Sequence, residues 1–165
     1  MDSTDNAPMI KIIEYDPKYA KEVKDFIENI AVSEFGLHRA RPDLDNVLEV
    51  YAKPSGNFWL AIDLKNNDQV IGTLGLQKWS ENRGYVRRMY VGETFRGTGL
   101  AKQLLERLLS VARENKYETL FLDSSIKMTR AHHFYEKNHF YQIENPFDKD
   151  DPQHQDQYFY EKKLN

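Results

Sequence analysis

The sequence contains no cysteine. Disulfides, thiolate nucleophiles and cysteine-based zinc sites are therefore excluded. It also has no apolar run approaching the ~20 residues that a membrane-spanning helix requires. It lacks an excess of positive charge, with 23 Lys and Arg against 26 Asp and Glu for a net charge of −3, so a nucleic-acid partner has no electrostatic support. Residues Met1 to Pro8 have neither the basic start nor the apolar centre of a secretory signal. These absences predict a flexible tail over 1–8 and one domain over 9–165, in a reducing, cytoplasmic setting with no membrane and no nucleic acid.

What is present is a globular composition. Of the 165 residues 40% are apolar and 13% aromatic, enough for one core and too few for two comfortable domains. Met9–Glu14 reads as a strand, followed by a helix that Asp16 caps and Pro17 opens, running to about residue 30. Asp43 is a plausible cap for a shorter helix ended by Pro54-Ser55-Gly56. Strands follow over 58–64 and 69–79, joined by the hairpin turn Lys65-Asn66-Asn67-Asp68, and then over 85–91. A helix over 97–114 carries Leu100, Leu104, Leu105, Leu108 and Ala112 on one stripe, with Asn115 as its left-handed terminator. The nearly all-apolar run 119–123 is a strand buried on both faces. A helix over 129–138 and strands over 140–144 and 157–162 close the chain, with a polar loop over 145–156.

The most informative segment is Arg96-Gly97-Thr98-Gly99-Leu100-Ala101, placed between a strand and an amphipathic helix. Two glycines free backbone N–H groups to point outward, and the helix adds about half a positive charge at its N-terminus. This is a pyrophosphate cradle. It is not a P-loop, because Thr98 stands where Lys must be, and it is not the dinucleotide fingerprint, because Lys102 replaces the third glycine.

The element order, this turn, the strand before it and the later run Ala131-x-x-Phe134-Tyr135-Glu136-Lys137-Asn138-x-Phe140 resemble the GNAT superfamily of N-acetyltransferases. The resemblance implies an α/β (α+β) single-domain fold, a mixed sheet of about six to seven strands flanked by about four helices. It implies acetyl-CoA as cosubstrate, wedged where the strand ending at Val91 splays from the next. Met89, Tyr90 and Val91 would contact the acyl and pantetheine groups, Arg96 to Ala101 (Arg96, Gly97, Thr98, Gly99, Leu100, Ala101) would hold the pyrophosphate, and Ser124 would assist. Tyr135 takes the place of the general acid that protonates the departing thiolate. The reaction implied is direct attack of a primary amine, of a small molecule or peptide, on the thioester in a ternary complex without metal. The implied assembly is a monomer or homodimer.

The sequence departs from the pattern in three places. Relatives often carry a Glu near Tyr85 that relays the amine proton. Here Glu34, Asp43, Glu81 and Asp123 are the candidates, each with a solvated surface role as its simpler reading. An expected Asn is Met128, and His139 stands where the signature has Gly in a turn that needs positive φ, which either His139 or Asn138 must absorb. The missing carboxylate also motivates the alternative of a non-catalytic acyl-CoA-binding sensor or interaction module. Phe35, Tyr85 and Arg87 are candidate acceptor contacts, with His38, Arg41 and the 145–156 loop nearby. Arg87 and Arg88 should point to opposite faces of their strand, one of them facing the cleft and favouring a carboxylate-bearing amine. The simpler readings of the other outliers are surface or cap positions for His132 and His133, adjacent on a helix and unable to chelate one metal together, and core and sheet-edge packing for Trp59 and Trp79.

Overall fold

The computed structural model describes residues 7–164, so residues 1–6 of the expected tail lie outside the described residues. The strands are β1 (Ile10–Glu14), β2 (Asn57–Asp63), β3 (Gln69–Ser80), β4 (Arg83–Val91), β5 (Thr119–Ser125), β6 (Tyr141–Ile143) and β7 (Gln157–Lys163). The α-helices are α1 (Ala20–Glu28), α2 (Val47–Val50), α3 (Leu100–Glu114) and α4 (Thr129–Lys137). Among the described residues one mixed sheet has the order β1-β2-β3-β4-β5-β7-β6, and only β4 and β5 pair in parallel. Among the described residues no helix is long and apolar enough to cross a membrane.

Alternation along the central strands explains the two packing layers. On β2, Trp59 and Ala61 join a core built with Leu104, Leu105 and Leu108 of α3 and Tyr135 of α4, while Phe58, Leu60 and Ile62 face Val23 and Ile27 of α1. Every residue of β2 is buried, as a strand covered on both faces requires. The hairpin between β2 and β3 turns through Asn67 and Asp68, both at φ +53°, the double left-handed geometry that matches strand twist.

Several elements differ from the sequence expectation. The first helix is three pieces: a 3-10 turn over Pro17–Tyr19 capped by Asp16, then α1, then a π-helical turn over Asn29–Glu34. Asp43 caps nothing; it lies inside a 3-10 turn (Pro42–Asp45), and its side chain is spent on tertiary partners. The α3 helix begins at Leu100, because Gly97 and Gly99 take φ +78° and +87° and form the turn before it. Asn115 keeps φ −85° and donates its amide to Pro54 O and Val111 O, leaving the left-handed position to Lys116 at φ +58°. Strand β6 is shorter than expected, and β3, β4 and β7 extend by one or two residues. His139 itself takes the positive φ, +69°, while Asn138 stays at −99°.

Pairing between β4 and β5 is confined to Arg83–Tyr85 against Thr119–Phe121. Beyond that point the two strands separate, and residues 86–91 have no strand partner on the β5 side.

Candidate active site

Two cavities fill the opening between β4 and β5, and they share Met89, Tyr90, Met128 and Tyr135 in their walls. The larger, of about 720 Å³, runs from the β4 edge to the start of α3. The smaller, of about 350 Å³, lies at the carboxyl ends of β4 and β5 under the loops 37–42 and 152–157.

One end of the larger cavity presents free backbone amides. Backbone N–H groups of residues 97 to 102 have no hydrogen-bond partner among the described residues, and the first helical bond is Gln103 N–H to Gly99 O. A Cβ at Gly97 or Gly99 would meet nothing within 4 Å, so these glycines serve the backbone conformation and leave the space above the amides open. Lys102, Lys127, Arg130 and Lys137 line the same cavity. Charge counting along the sequence missed them because they come from separate segments that only the fold brings together. Arg96 does not point into free space. Its Nε donates to Val91 O (3.1 Å) and its two terminal nitrogens form a fork to Glu34 at 2.7 and 2.8 Å, which holds the Glu34 carboxyl below the usual range. Met89, Tyr90, Val91, Gly97, Gly99, Leu100, Ala101 and Phe35 line this cavity, whereas Thr98 is outside the lining and donates its hydroxyl to Phe95 O at 2.5 Å.

Tyr135 is buried at the junction, its ring in edge contact with Phe134 and Phe140 and tilted against Tyr160. Its hydroxyl has no hydrogen-bond partner among the described residues. Burial, with the neighbouring Tyr90, Asp123 and Tyr160, pushes its pKa up, so the phenol keeps its proton across the physiological range.

The smaller cavity contains Tyr85, Arg87 and Ser124, so Ser124 lies on this side of the junction and not in the larger cavity. Ser124 is 5% exposed and its Oγ has no hydrogen-bond partner among the described residues. Asp123 accepts the Tyr85 hydroxyl at 2.5 Å. Gln157, with its amide nitrogen turned to Asp123 and its amide oxygen to Arg39, links that carboxylate to the loop. Arg39 donates to Gln153 O and Gln155 O at 2.9 and 3.1 Å, and Phe147 packs on Trp79, Tyr85 and Phe121 while stacking on His154 at 3.8 Å. Trp79, 46% exposed, is thus part of an aromatic cluster under the 145–156 loop and not sheet-edge packing. His132 is buried too, against the surface expectation; its ring pairs with Ser125 O and stacks on Tyr160. His38 lines neither cavity.

The two arginines of β4 do not alternate. Thr73 pairs with Tyr90 and Gly75 with Arg87, so β4 carries one extra residue opposite Leu74, and Arg88 sits in this bulge at φ +57° with its carbonyl accepting the Thr73 hydroxyl. The extra residue puts both side chains on the α1–α2 face, where Asp43 accepts Arg88 Nε and Nη2 at 2.9 and 2.6 Å and the Tyr51 hydroxyl at 2.6 Å, with Arg87 Nη2 at 3.6 Å. Of the four carboxylates considered from sequence, Asp43 is therefore buried, Glu34 is locked to Arg96, Glu81 is exposed and paired with Lys78, and Asp123 alone lines the smaller cavity. Burial by itself would push the Asp43 carboxyl up; the Arg88 hydrogen bonds, the Arg88 and Arg87 charges and the Tyr51 hydroxyl outweigh it and bring it to about 2.

The sequence profile of the acetyltransferase (GNAT) family matches residues 24–140. A GNAT-family acetyltransferase from Staphylococcus aureus Mu50 is 30% identical and superposes with a TM-score of 0.85 over 95% of this chain and 100% of its own. The paia N-acetyltransferase of Thermoplasma acidophilum, solved with coenzyme A, shares the fold at 16% identity, TM-score 0.68, 94% of this chain and 99% of its own. An N-acetylaspartate synthetase of Danio rerio is 34% identical over 96 residues, covering 57% of this chain and 33% of its own, so the chain spans about a third of the length of that relative. Fold, profile and the cradle before α3 agree, and the chain belongs to the GNAT family of acetyltransferases.

Proposed function

We propose that the protein transfers an acetyl group from acetyl-CoA to a primary amine by direct attack in a ternary complex. The observation that carries this reading is the meeting of two separate cavities at one buried, unpartnered and protonated phenol, Tyr135. One cavity fits the donor: free amides of residues 97–102 and four basic side chains suit its phosphates, and the unpaired β4 edge suits an extended chain with amides. The donor supplies an acetyl thioester.

The residues of this chain do the rest. Met89 and Tyr90 border both cavities and orient the two reactants, a role that supplies most of the rate by positioning. An acceptor ammonium must lose a proton before it attacks, and Asp123, held by Tyr85, is the carboxylate in reach of that cavity. The new bond is N–C, the bond broken is C–S, Tyr135 gives its proton to the leaving sulfur, and one net proton passes to solvent. Relatives named for N-acetylaspartate place an amino acid among the acceptors to be tried.

The test is free-thiol release with a panel of amines, alongside coenzyme A binding by calorimetry. Binding with turnover is expected. Binding without turnover across a broad panel would convert the reading to an acyl-CoA-binding module, and absence of binding would overturn it.

A further inference from the structure

The smaller cavity has a charge that the acetyl donor does not explain. Arg39, Arg41, Arg87 and Arg88 line it, and the carboxylates that face them are Asp43 behind the wall and Asp123 at its edge. Arg88 is neutralised by Asp43. Arg87 is not fully so; it donates to Gln77 Oε1 at 3.0 Å and lies over the Tyr85 ring, with Asp43 beyond hydrogen-bond reach at 3.6 Å. Arg41 and Arg39 are held by backbone carbonyls, Arg41 by Leu37 O (2.8 Å) and Arg39 O (3.1 Å), Arg39 by Gln153 O and Gln155 O. Neutral acceptors fix the direction of a guanidinium without cancelling its charge, and each guanidinium keeps donors to spare out of five. Four cations against two carboxylates leave a surplus of two positive charges around the cavity. A second feature points the same way: the buried Ser124 hydroxyl in its wall has no partner among the described residues, and such a group is satisfied when a ligand accepts or donates there.

We propose that the acceptor is an amino acid with two carboxylates. Its carboxylates meet the Arg41 and Arg87 side of the cavity and its ammonium turns toward Asp123, beside Tyr135. With Asp43 matched to Arg88 and Asp123 to the ammonium, the two carboxylates stand against the charge of Arg39, Arg41 and Arg87, and a cavity of about 350 Å³ has the size of a small-molecule site. A polyamine or a lysine side chain would bring positive charge to a positive wall, which disfavours it both in approach and in the bound state. This inference rests on the acetyl-transfer reading for its chemistry, but not for its binding.

The experiment compares thiol release and binding for L-aspartate, L-glutamate, L-asparagine, L-glutamine and spermidine. The dicarboxylates are expected to exceed their amides and spermidine by at least about tenfold in kcat/KM, since a site built for a charged partner rejects the analogue that leaves it unpaired. Arg41→Gln and Arg87→Gln should each raise KM for the dicarboxylate at least about tenfold with coenzyme A affinity unchanged, thermal unfolding serving as the control for folding. Turnover of spermidine or the amides at equal or better efficiency overturns the inference and leaves the transferase reading intact. Calorimetry of aspartate and glutamate against the coenzyme A complex separates the two in the other direction: binding of a dicarboxylate, with no thiol release from any amine of the broad panel, supports the dicarboxylate site and sinks the transferase reading. Neither binding nor turnover of either dicarboxylate also overturns it.

Discussion

Replacing Asp43 with Asn should cost substantial stability at the wall of the smaller cavity. Asp43 is 5% exposed and accepts from Tyr51 and twice from Arg88, with Arg87 close behind. An asparagine retains one acceptor oxygen and turns an NH2 toward groups that are themselves donors, so it removes a charge and creates a donor–donor contact. Breaking a buried pair on one side costs about 3–5 kcal/mol because the remaining ion is left uncompensated. Arg88 keeps some access to solvent (17%), so the lower end, about 3 kcal/mol, is expected. At this chain length that is a fall in Tm of roughly 6–12 °C. The effect should depend on acid in a definite direction. The folded value of Asp43, about 2, lies below the ordinary 3.8, so its contribution is complete above pH 4 and is lost as pH falls toward 2. The loss is worth roughly 2 kcal/mol over that window, at about 1.4 kcal/mol for each tenfold change in proton affinity. Urea unfolding of both proteins at pH 7, 4, 3 and 2.5 should therefore show a gap that narrows through the acid range, and Asp43→Asn with Arg88→Met should recover part of the loss. A gap below 1 kcal/mol at pH 7, or one of constant size down to pH 2.5, would refute the assignment of this carboxylate as the ion that holds the arginines.

Three further outcomes are expected. Tyr135→Phe should lower kcat at least about 100-fold with coenzyme A affinity within twofold, measured by thiol release and calorimetry; an unchanged kcat would remove the phenol from proton transfer. Glu34→Gln should tighten coenzyme A binding several-fold at low salt, because it takes a carboxylate from Arg96 beside the phosphate cradle, and weaker binding would show instead that the fork holds the site open. His139→Gly should raise stability by about 0.5–1 kcal/mol in urea unfolding, since φ +69° is strained for His and the relief exceeds the added chain entropy of glycine; a loss would mean the imidazole makes a compensating contact.

The order of elements and the glycine turn before α3 were legible because they rest on local rules. A continuous apolar run marks β2, helical spacing of leucines marks α3, and the glycines ahead of Leu100 announce a turn with exposed amides. The failures at Asp43, at His132 and at the smaller cavity have one cause in common: each depended on a partner distant in sequence. Asp43 has the local look of a helix cap, but its carboxylate is drawn 45 residues away to Arg88. His132 lies on a polar stretch of helix, yet β7 brings Tyr158 and Tyr160 over it. The smaller cavity was the least legible part, since it is assembled from the ends of β4 and β5 and two loops more than a hundred residues apart, joined by Arg39 to Gln153 and Gln155.

The bulge at Arg88 ties these points into one device. In an unbroken strand Arg87 and Arg88 would face opposite layers, and one of them would enter the apolar core against α3. The inserted residue instead lets Val86, Met89 and Val91 share the α3 side while Arg87 and Arg88 turn to Asp43. A strand that must serve as one wall of two cavities thus presents an apolar edge to one and a cationic edge to the other. The backbone strain of φ +57° at a non-glycine residue is of order 1–2 kcal/mol, and the Arg88–Asp43 fork and the Thr73 hydroxyl bond offset it. Because Asp43 belongs to the segment between α1 and α2, movement of that segment would change the charge around the smaller cavity without touching the turn before α3. On the function proposed above, selectivity for the acceptor would follow the 37–43 segment together with the bulge, and affinity for the donor would follow the turn before α3.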